Sequence, residues 1–180
     1  MSVEMPRNLE VKALVRDPAR FRELVEAISE TSPVTLRQED VFFDVAKGRL
    51  KLRKFADGTA EIIYYDRADS LGPTSSDYQK APVVDALGLE EVLGRALGVR
   101  GVVRKERKLY RVDRTRIHLD RVEDLGNFME LEVELAPGDS TRGATEIAKA
   151  LMSRLAVGEE DLIDLAYVDL LERKGKDSIE

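Results

Sequence analysis

Arg49-Leu50-Lys51-Leu52-Arg53 alternates cation with leucine, and Glu130-Leu131-Glu132-Val133-Glu134 alternates carboxylate with aliphatic side chain in the same way. Successive residues of a strand point to opposite faces, so each stretch reads as a strand with one apolar and one fully charged face. Lys105 and Arg107 share a face of a third such strand. Arg116, His118 and Asp120 alternate with Ile117 and Leu119 on a fourth, and Glu10 and Lys12 share a face of a fifth. Taken singly, each charged face fits the solvent side of an antiparallel sheet whose apolar side packs on helices. Taken together, a strand of cations and a strand of carboxylates fit a second arrangement, a sheet curled into a barrel with its charges pointing inward. Like charges cannot be buried side by side without a counter-charge. A polyphosphate would neutralise the Arg and Lys groups, and hard divalent cations held by the carboxylates would bridge to its oxygens.

Working outward, residues 8–15 alternate with Asn8, Glu10 and Lys12 on one face and Leu9 and Val11 on the other. Asp17-Pro18 is a helix start, an N-cap followed by a proline tolerated in the first turn. Phe21, Leu24, Val25 and Ile28 then follow at helical spacing until Ser32-Pro33. Residues 36–44, 49–55 and 60–67 read as a meander turned at Lys47-Gly48 and Asp57-Gly58. Turn formers over 68–76 predict a loop before a short strand over 77–83. A second helix is predicted over 89–97, with Gly98 and Gly101 bracketing its end. Strands follow over 102–112, 114–122 and 127–135, then helices over 141–155 and 160–172. The charged tail, 173–180, is expected to fray. About eight antiparallel strands with flanking helices make one α+β domain over 1–180.

Of the 180 residues 36% are charged, against the roughly one quarter usual in soluble domains, and an inward-facing charged wall gives that surplus a location. The net charge of −6 argues against a protein that coats nucleic acid. With no cysteine, disulfides, thiolate chemistry and a cysteine-rich zinc site are excluded. The first residues lack the apolar core of a secretory signal, and no run of about 18 apolar residues occurs, so a cytoplasmic protein off the membrane is expected. The oligomeric state is left open, a homodimer included.

These residues resemble the CYTH superfamily, the triphosphate tunnel metalloenzymes, which include class IV adenylyl cyclases and thiamine triphosphatases. Asn8-Leu9-Glu10-Val11-Lys12 looks like the N-terminal ExExK signature, and Gln38-Glu39-Asp40 with Phe42-Phe43 looks like the second strand. Gly48 to Arg53 resembles the basic third strand, Val103-Arg104-Lys105-Glu106-Arg107 the VxKxR element, and Glu130 to Glu134 the C-terminal ExE strand. His118-Leu119-Asp120 leads into Gly126, and Tyr167-Val168-Asp169-Leu170-Leu171 is similar to the closing helix. The resemblance implies an eight-stranded antiparallel barrel, open at both ends, holding Mg²⁺ or Mn²⁺. It implies Glu10, Asp120, Glu130 and Glu132 as metal ligands, and Lys12, Lys51, Arg53, Lys105 and Arg107 as holders of the triphosphate. Lys12 and Lys105 are also the candidate catalytic residues. Arg49 and Arg104 fit either the tunnel or solvent, and His118 either the tunnel or a structural role.

Two positions depart from the family pattern. Asn8 replaces the first Glu of ExExK and brings no charge, so a weaker or displaced metal is expected on that side. The fourth strand, Glu61 to Arg67, lacks a lysine that many members carry, and Tyr65 or Arg67 occupies that neighbourhood; in the triphosphatase branch this lysine is implicated in activating water. The resemblance implies a metal-dependent enzyme acting on ATP or another small triphosphate, with a class IV adenylyl cyclase put first. A thiamine or inorganic triphosphatase and a non-catalytic polyphosphate-binding module stand as alternatives, because a shared fold does not fix a function. Neutralising Glu130 or Glu132 is expected to cost turnover far more than stability, by relieving repulsion among carboxylates.

Overall fold

The alternating stretches become the walls of one closed barrel. The computed structural model describes residues 7–177. In chain order the elements are β1 (Arg7–Leu14), α1 (Pro18–Glu26), β2 (Val34–Phe43), β3 (Arg49–Phe55), β4 (Ala60–Arg67), β5 (Thr74–Pro82) and α2 (Ala86–Leu97). There follow β6 (Val99–Val112), β7 (Thr115–Val122), β8 (Gly126–Leu135), α3 (Thr141–Arg154), a 3-10 turn (Glu159–Asp161) and α4 (Tyr167–Asp177). The strand order is β1-β5-β4-β3-β2-β6-β7-β8, closed by β8 on β1, and every pairing is antiparallel.

Closure turns the usual layering inside out, because the apolar faces point away from the barrel axis and are covered by helices. Leu9, Val11, Ile117, Leu131 and Val133 pack with Phe21 and Val25 of α1 and with Ala144, Ala148 and Leu151 of α3. Val41, Phe43 and Leu52 meet Leu89 and Leu93 of α2. The third apolar group lies at one end of the barrel, where Phe42, Val103, Val122 and Phe128 pack against Ala166, Tyr167 and Val168 and seal that end, where an opening was expected. Gly101 allows this close approach, since a Cβ there would meet Val168 Cγ2 at 3.0 Å.

Several boundaries differ from the sequence expectation. β5 begins at Thr74 inside the predicted loop, because Thr74 and Ser76 pair with Glu10 and Asn8 while Ser76 also pairs with Arg67. Ladders on both sides outweigh a turn-like composition. α2 begins at Ala86, where the Asp85 side chain accepts from Gly88 N, and β6 begins at Val99, so that Gly101 lies within the strand. The last helix starts at Tyr167 and not at 160: Leu162 bridges to Ala13, and Ile163 N donates to Lys12 O at 2.9 Å, which holds that segment extended. Its first turn is fixed by Asp169, which accepts from Ala166 N at 3.0 Å as in a capping box. The helix continues through 177, so residues 173–177 are helical where fraying was expected, and 178–180 lie outside the described residues.

Candidate active site

The inward faces enclose a cavity of about 410 Å³, lined among others by Glu10, Lys12, Lys51, Arg53, Lys105, Arg107, Glu130 and Glu132. That size lies within the range of pockets that bury a small organic molecule. The two ends differ. At the sealed end the Tyr167 ring lies 4.1 Å from Lys12 Nζ and 5.0 Å from Lys105 Nζ, and Lys12 Nζ donates to Leu165 O at 3.2 Å. Ion pairs fasten α4 there: Asp169 takes Arg49 at 2.9 Å and Arg100 at 2.5 Å, while Glu172 takes Arg100 at 2.8 Å. Phe55 stands at the far end of β3 from Arg49. There Leu36, Phe55, Tyr78 and Leu109 are only part-buried and Lys80 is exposed, which makes this end the mouth.

Two sets of charge line the cavity. On β2 and β3, Asp40 accepts from Arg53 Nε and Nη2, both at 2.7 Å, and from Lys51 Nζ at 3.0 Å. Burial would raise the Asp40 carboxyl, but Arg53 and then Lys51 hold it well below the usual carboxylate range. Across the tunnel Glu130 accepts from Arg107 Nη2 at 2.5 Å and pairs with Lys12 at 3.2 Å. Burial opposes its charge too, and Arg107 and Lys12 keep it ionised. Glu132 pairs with Arg116 at 2.8 Å. Glu10 has Arg67 at 3.5 Å. Burial, then the charges of Glu132 and Glu130, push Glu10 up to about 7 against the pull of Arg67 and Lys12. Burial, then Arg107, push Lys105 down to about 7 despite Asp120.

Asp120, expected as a metal ligand, shares Arg107 Nη2 with Glu130, at 2.5 Å from each. It is fully buried at 0% exposure and accepts from Arg107 Nε at 2.7 Å, Arg107 Nη2 at 2.5 Å and Tyr167 Oη at 3.0 Å, with Lys105 Nζ at 3.5 Å. Burial would raise it, yet Arg107 and then Lys105 hold it down to about 2. In this arrangement it orients the two cations and the closing tyrosine. His118, left open by the sequence, lies inside the tunnel, 3.6 Å from Glu132 Oε1 and 3.8 Å from Glu130 Oε2. Burial, then Arg107, lower its pKa, which keeps the imidazole neutral. The ligand atoms of His118, Glu130 and Glu132 lie within 4.8 Å of one another.

Arg104 points outward at 55% side-chain exposure, paired with Glu39, whereas Arg49 is the α4 anchor. Asn8 is buried, with its amide oxygen turned to accept from Arg116 Nη2 at 3.2 Å, so that oxygen is engaged by a cation. Tyr65 and Arg67 both line the tunnel in place of the missing lysine. Sequence reasoning assigned no role to Asp40 or Tyr167. The even parity of Gln38, Asp40 and Phe42 was a usable signal for the first; the second depends on where the closing helix begins.

Against known families, the CYTH domain model matches residues 6–167. The chain belongs to the CYTH family. No curated protein sequence matches it. Among solved structures, this CYTH chain superposes on PH1012 of Pyrococcus horikoshii with a TM-score of 0.82 at 27% identity, covering 91% of this chain and 98% of that one. A Vibrio parahaemolyticus protein named as a candidate adenylate cyclase gives 0.75 at 19% identity, over 95% and 99% of the two chains. A Hippeastrum protein, a candidate adenylyl cyclase with a dominant triphosphatase activity, gives 0.65 at 18%, over 95% and 96%. At those last two identities the likeness is one of fold.

Proposed function

We propose that this CYTH protein is a divalent-metal-dependent enzyme that takes an organic triphosphate into the tunnel, with ATP converted to cyclic AMP and pyrophosphate as the reaction. The observation that carries it is one cavity at which five cations, Lys12, Lys51, Arg53, Lys105 and Arg107, converge with Glu10, Glu130 and Glu132. Five cations converging on one cavity suit a polyanion, and part-buried Leu36, Phe55 and Leu109 at the mouth suit an organic group more than an inorganic chain. Tyr65 and Arg67, standing where a lysine would help activate water, favour attack by a hydroxyl of the substrate itself.

In this reading the terminal phosphates lie innermost, against Lys12 and Lys105, and the nucleoside faces the mouth. Glu10, Glu130, Glu132 and His118 are the groups placed to hold a divalent ion; the buried His118 Nδ1, without a hydrogen-bond partner and turned to two carboxylates, fits one. Held there, such an ion supplies Lewis-acid polarisation of phosphate oxygens. The ribose 3′-hydroxyl attacks the α-phosphorus and gives its proton to water at the mouth, while the bond from that phosphorus to the oxygen bridging to the β-phosphate breaks and pyrophosphate leaves. Lys12, Lys105 and Arg107 stabilise the charge that develops on departing pyrophosphate, in a site where water screens little. Asp120 and Tyr167 keep those cations aimed. Incubation with ATP, thiamine triphosphate and inorganic triphosphate, each with Mg²⁺ or Mn²⁺, tests this. Cyclic AMP with pyrophosphate supports it, orthophosphate makes the protein a triphosphatase, and tight binding without turnover makes it a binding module.

A further inference from the structure

We infer that His118 is a nitrogen ligand of the divalent ion, and that this site prefers a first-row transition ion such as Mn²⁺ to Mg²⁺. The inference rests on the metal reading above and deepens it by making the imidazole nitrogen a direct ligand and by naming the selectivity. His118 is 4% exposed, on the inward face of β7 between Arg116 and the buried Asp120. Among the described residues its buried Nδ1 has no hydrogen-bond partner within 3.5 Å, which is unusual because buried polar atoms are almost always satisfied. A histidine kept for packing alone would have that nitrogen paired or replaced by an apolar group.

The distances identify what is missing. Nδ1 stands 3.6 Å from Glu132 Oε1 and 3.8 Å from Glu130 Oε2, too far for hydrogen bonds. Donors placed about 2.0–2.2 Å from one ion lie about 3.0 Å apart when adjacent in an octahedron and about 4.4 Å apart when opposite. The two Nδ1–oxygen separations fall between these limits and all three ligand atoms lie within 4.8 Å of one another, so side-chain shifts on that scale bring them onto one ion. β7 and β8 set this up in the backbone, since His118 pairs with Glu130 and Arg116 with Glu132 in the ladder. Mg²⁺ favours oxygen donors and sheds water reluctantly, whereas imidazole suits first-row transition ions. A mixed set of one nitrogen and two carboxylates therefore shifts the preference away from Mg²⁺.

The test uses the full chain and does not require turnover. Calorimetric titration with Mn²⁺ and with Mg²⁺, with and without a non-hydrolysable ATP analogue, is done on the wild type and on His118→Gln. Pulsed EPR on the Mn²⁺-loaded wild type looks for coupling to an imidazole nitrogen. Expected are Mn²⁺ affinity at least tenfold above that for Mg²⁺, imidazole coupling in the wild type, and a loss of about tenfold or more in Mn²⁺ affinity in the variant with Mg²⁺ changed less than threefold. Mn²⁺ bound without nitrogen coupling overturns the inference and leaves the metal-dependent reading standing. No binding of either ion to the folded protein, under either condition, overturns both. The EPR arm decides even where the variant fails to fold.

Discussion

On β2 and β3 one carboxylate, Asp40, faces two cations, whereas on β1 and β8 three carboxylates, Glu10, Glu130 and Glu132, share one side of the tunnel. The first group is complete within the chain: Arg53 grips Asp40 through two nitrogens and Lys51 adds a third bond, so every charge has a partner before any ligand arrives. The second is not. Arg107, Lys12 and Arg116 serve Glu130 and Glu132, and Glu10 is left with Arg67 at 3.5 Å and a carboxyl pushed up to about 7 by burial and its two neighbours. Buried charge that the chain compensates holds a wall in shape; buried charge left over is a demand for a counter-ion.

The sharpest way to break this contrast is Glu132→Gln, which removes a charge from the side where the carboxylates crowd one another. Turnover should fall about a hundredfold or more, the scale of losing one preorganised electrostatic group, while thermal denaturation still shows a cooperative fold. Retained turnover would place the chemistry elsewhere. Arg53→Ala attacks the complete side and should show two losses at once. Calorimetric titration of a non-hydrolysable triphosphate should find binding weaker by about tenfold to a hundredfold, as expected for a charge-assisted bond of roughly 1.5–3 kcal/mol. Chemical denaturation should find a loss of roughly 3 kcal/mol, the low end for a broken buried pair because Lys51 remains on Asp40.

A pH series on Glu10→Gln sharpens the comparison. The folded-state pKa of about 7 lies above the ordinary 4.5, so ionising Glu10 opposes folding fully above pH 7, and this opposition fades as pH falls toward 4.5. The melting temperature of the variant should therefore exceed that of the wild type above pH 7, with the gap closing toward pH 4.5. A gap constant across that window would show that Glu10 is not the strained member. The smallest effect is expected at Arg104→Ala. This side chain is 55% exposed on the outer face, and a change of about 0–1 kcal/mol in stability with unaltered triphosphate affinity is the expected result.

Strand periodicity carried most of the fold into view, because every second residue of β3 and β8 is charged and a period of two admits few other readings. It could not say which carboxylate is strained. The expectation that neutralising Glu130 or Glu132 relieves repulsion rests on their spacing alone, but cations from β1, β6 and β7 hold both of them ionised and pass the repulsion to Glu10. Asp120 shares its parity with His118, yet depth separates them: Arg107 and Tyr167 occupy the one, and the other is left open to the carboxylates. Tyr167, quoted only as part of the closing helix, was given no role in the tunnel because the helix was expected from 160. Glu159–Asp161 makes only one 3-10 turn, and Leu162-Ile163 after it is held extended by backbone bonds to β1, which sequence pattern does not encode.

The apolar seal of Phe42, Val103 and Phe128 against α4, fastened by Asp169 to Arg49 and Arg100, closes one end of the tunnel among the described residues and leaves the mouth near Phe55 as the way in for the proposed substrate. Whatever enters last must leave first. For a substrate that goes in phosphate end foremost, the organic product departs before the inner phosphate product, which stays behind against Lys12 and Lys105. Turnover in such a chamber is timed by how long those two lysines keep their grip on an anion that has already reacted.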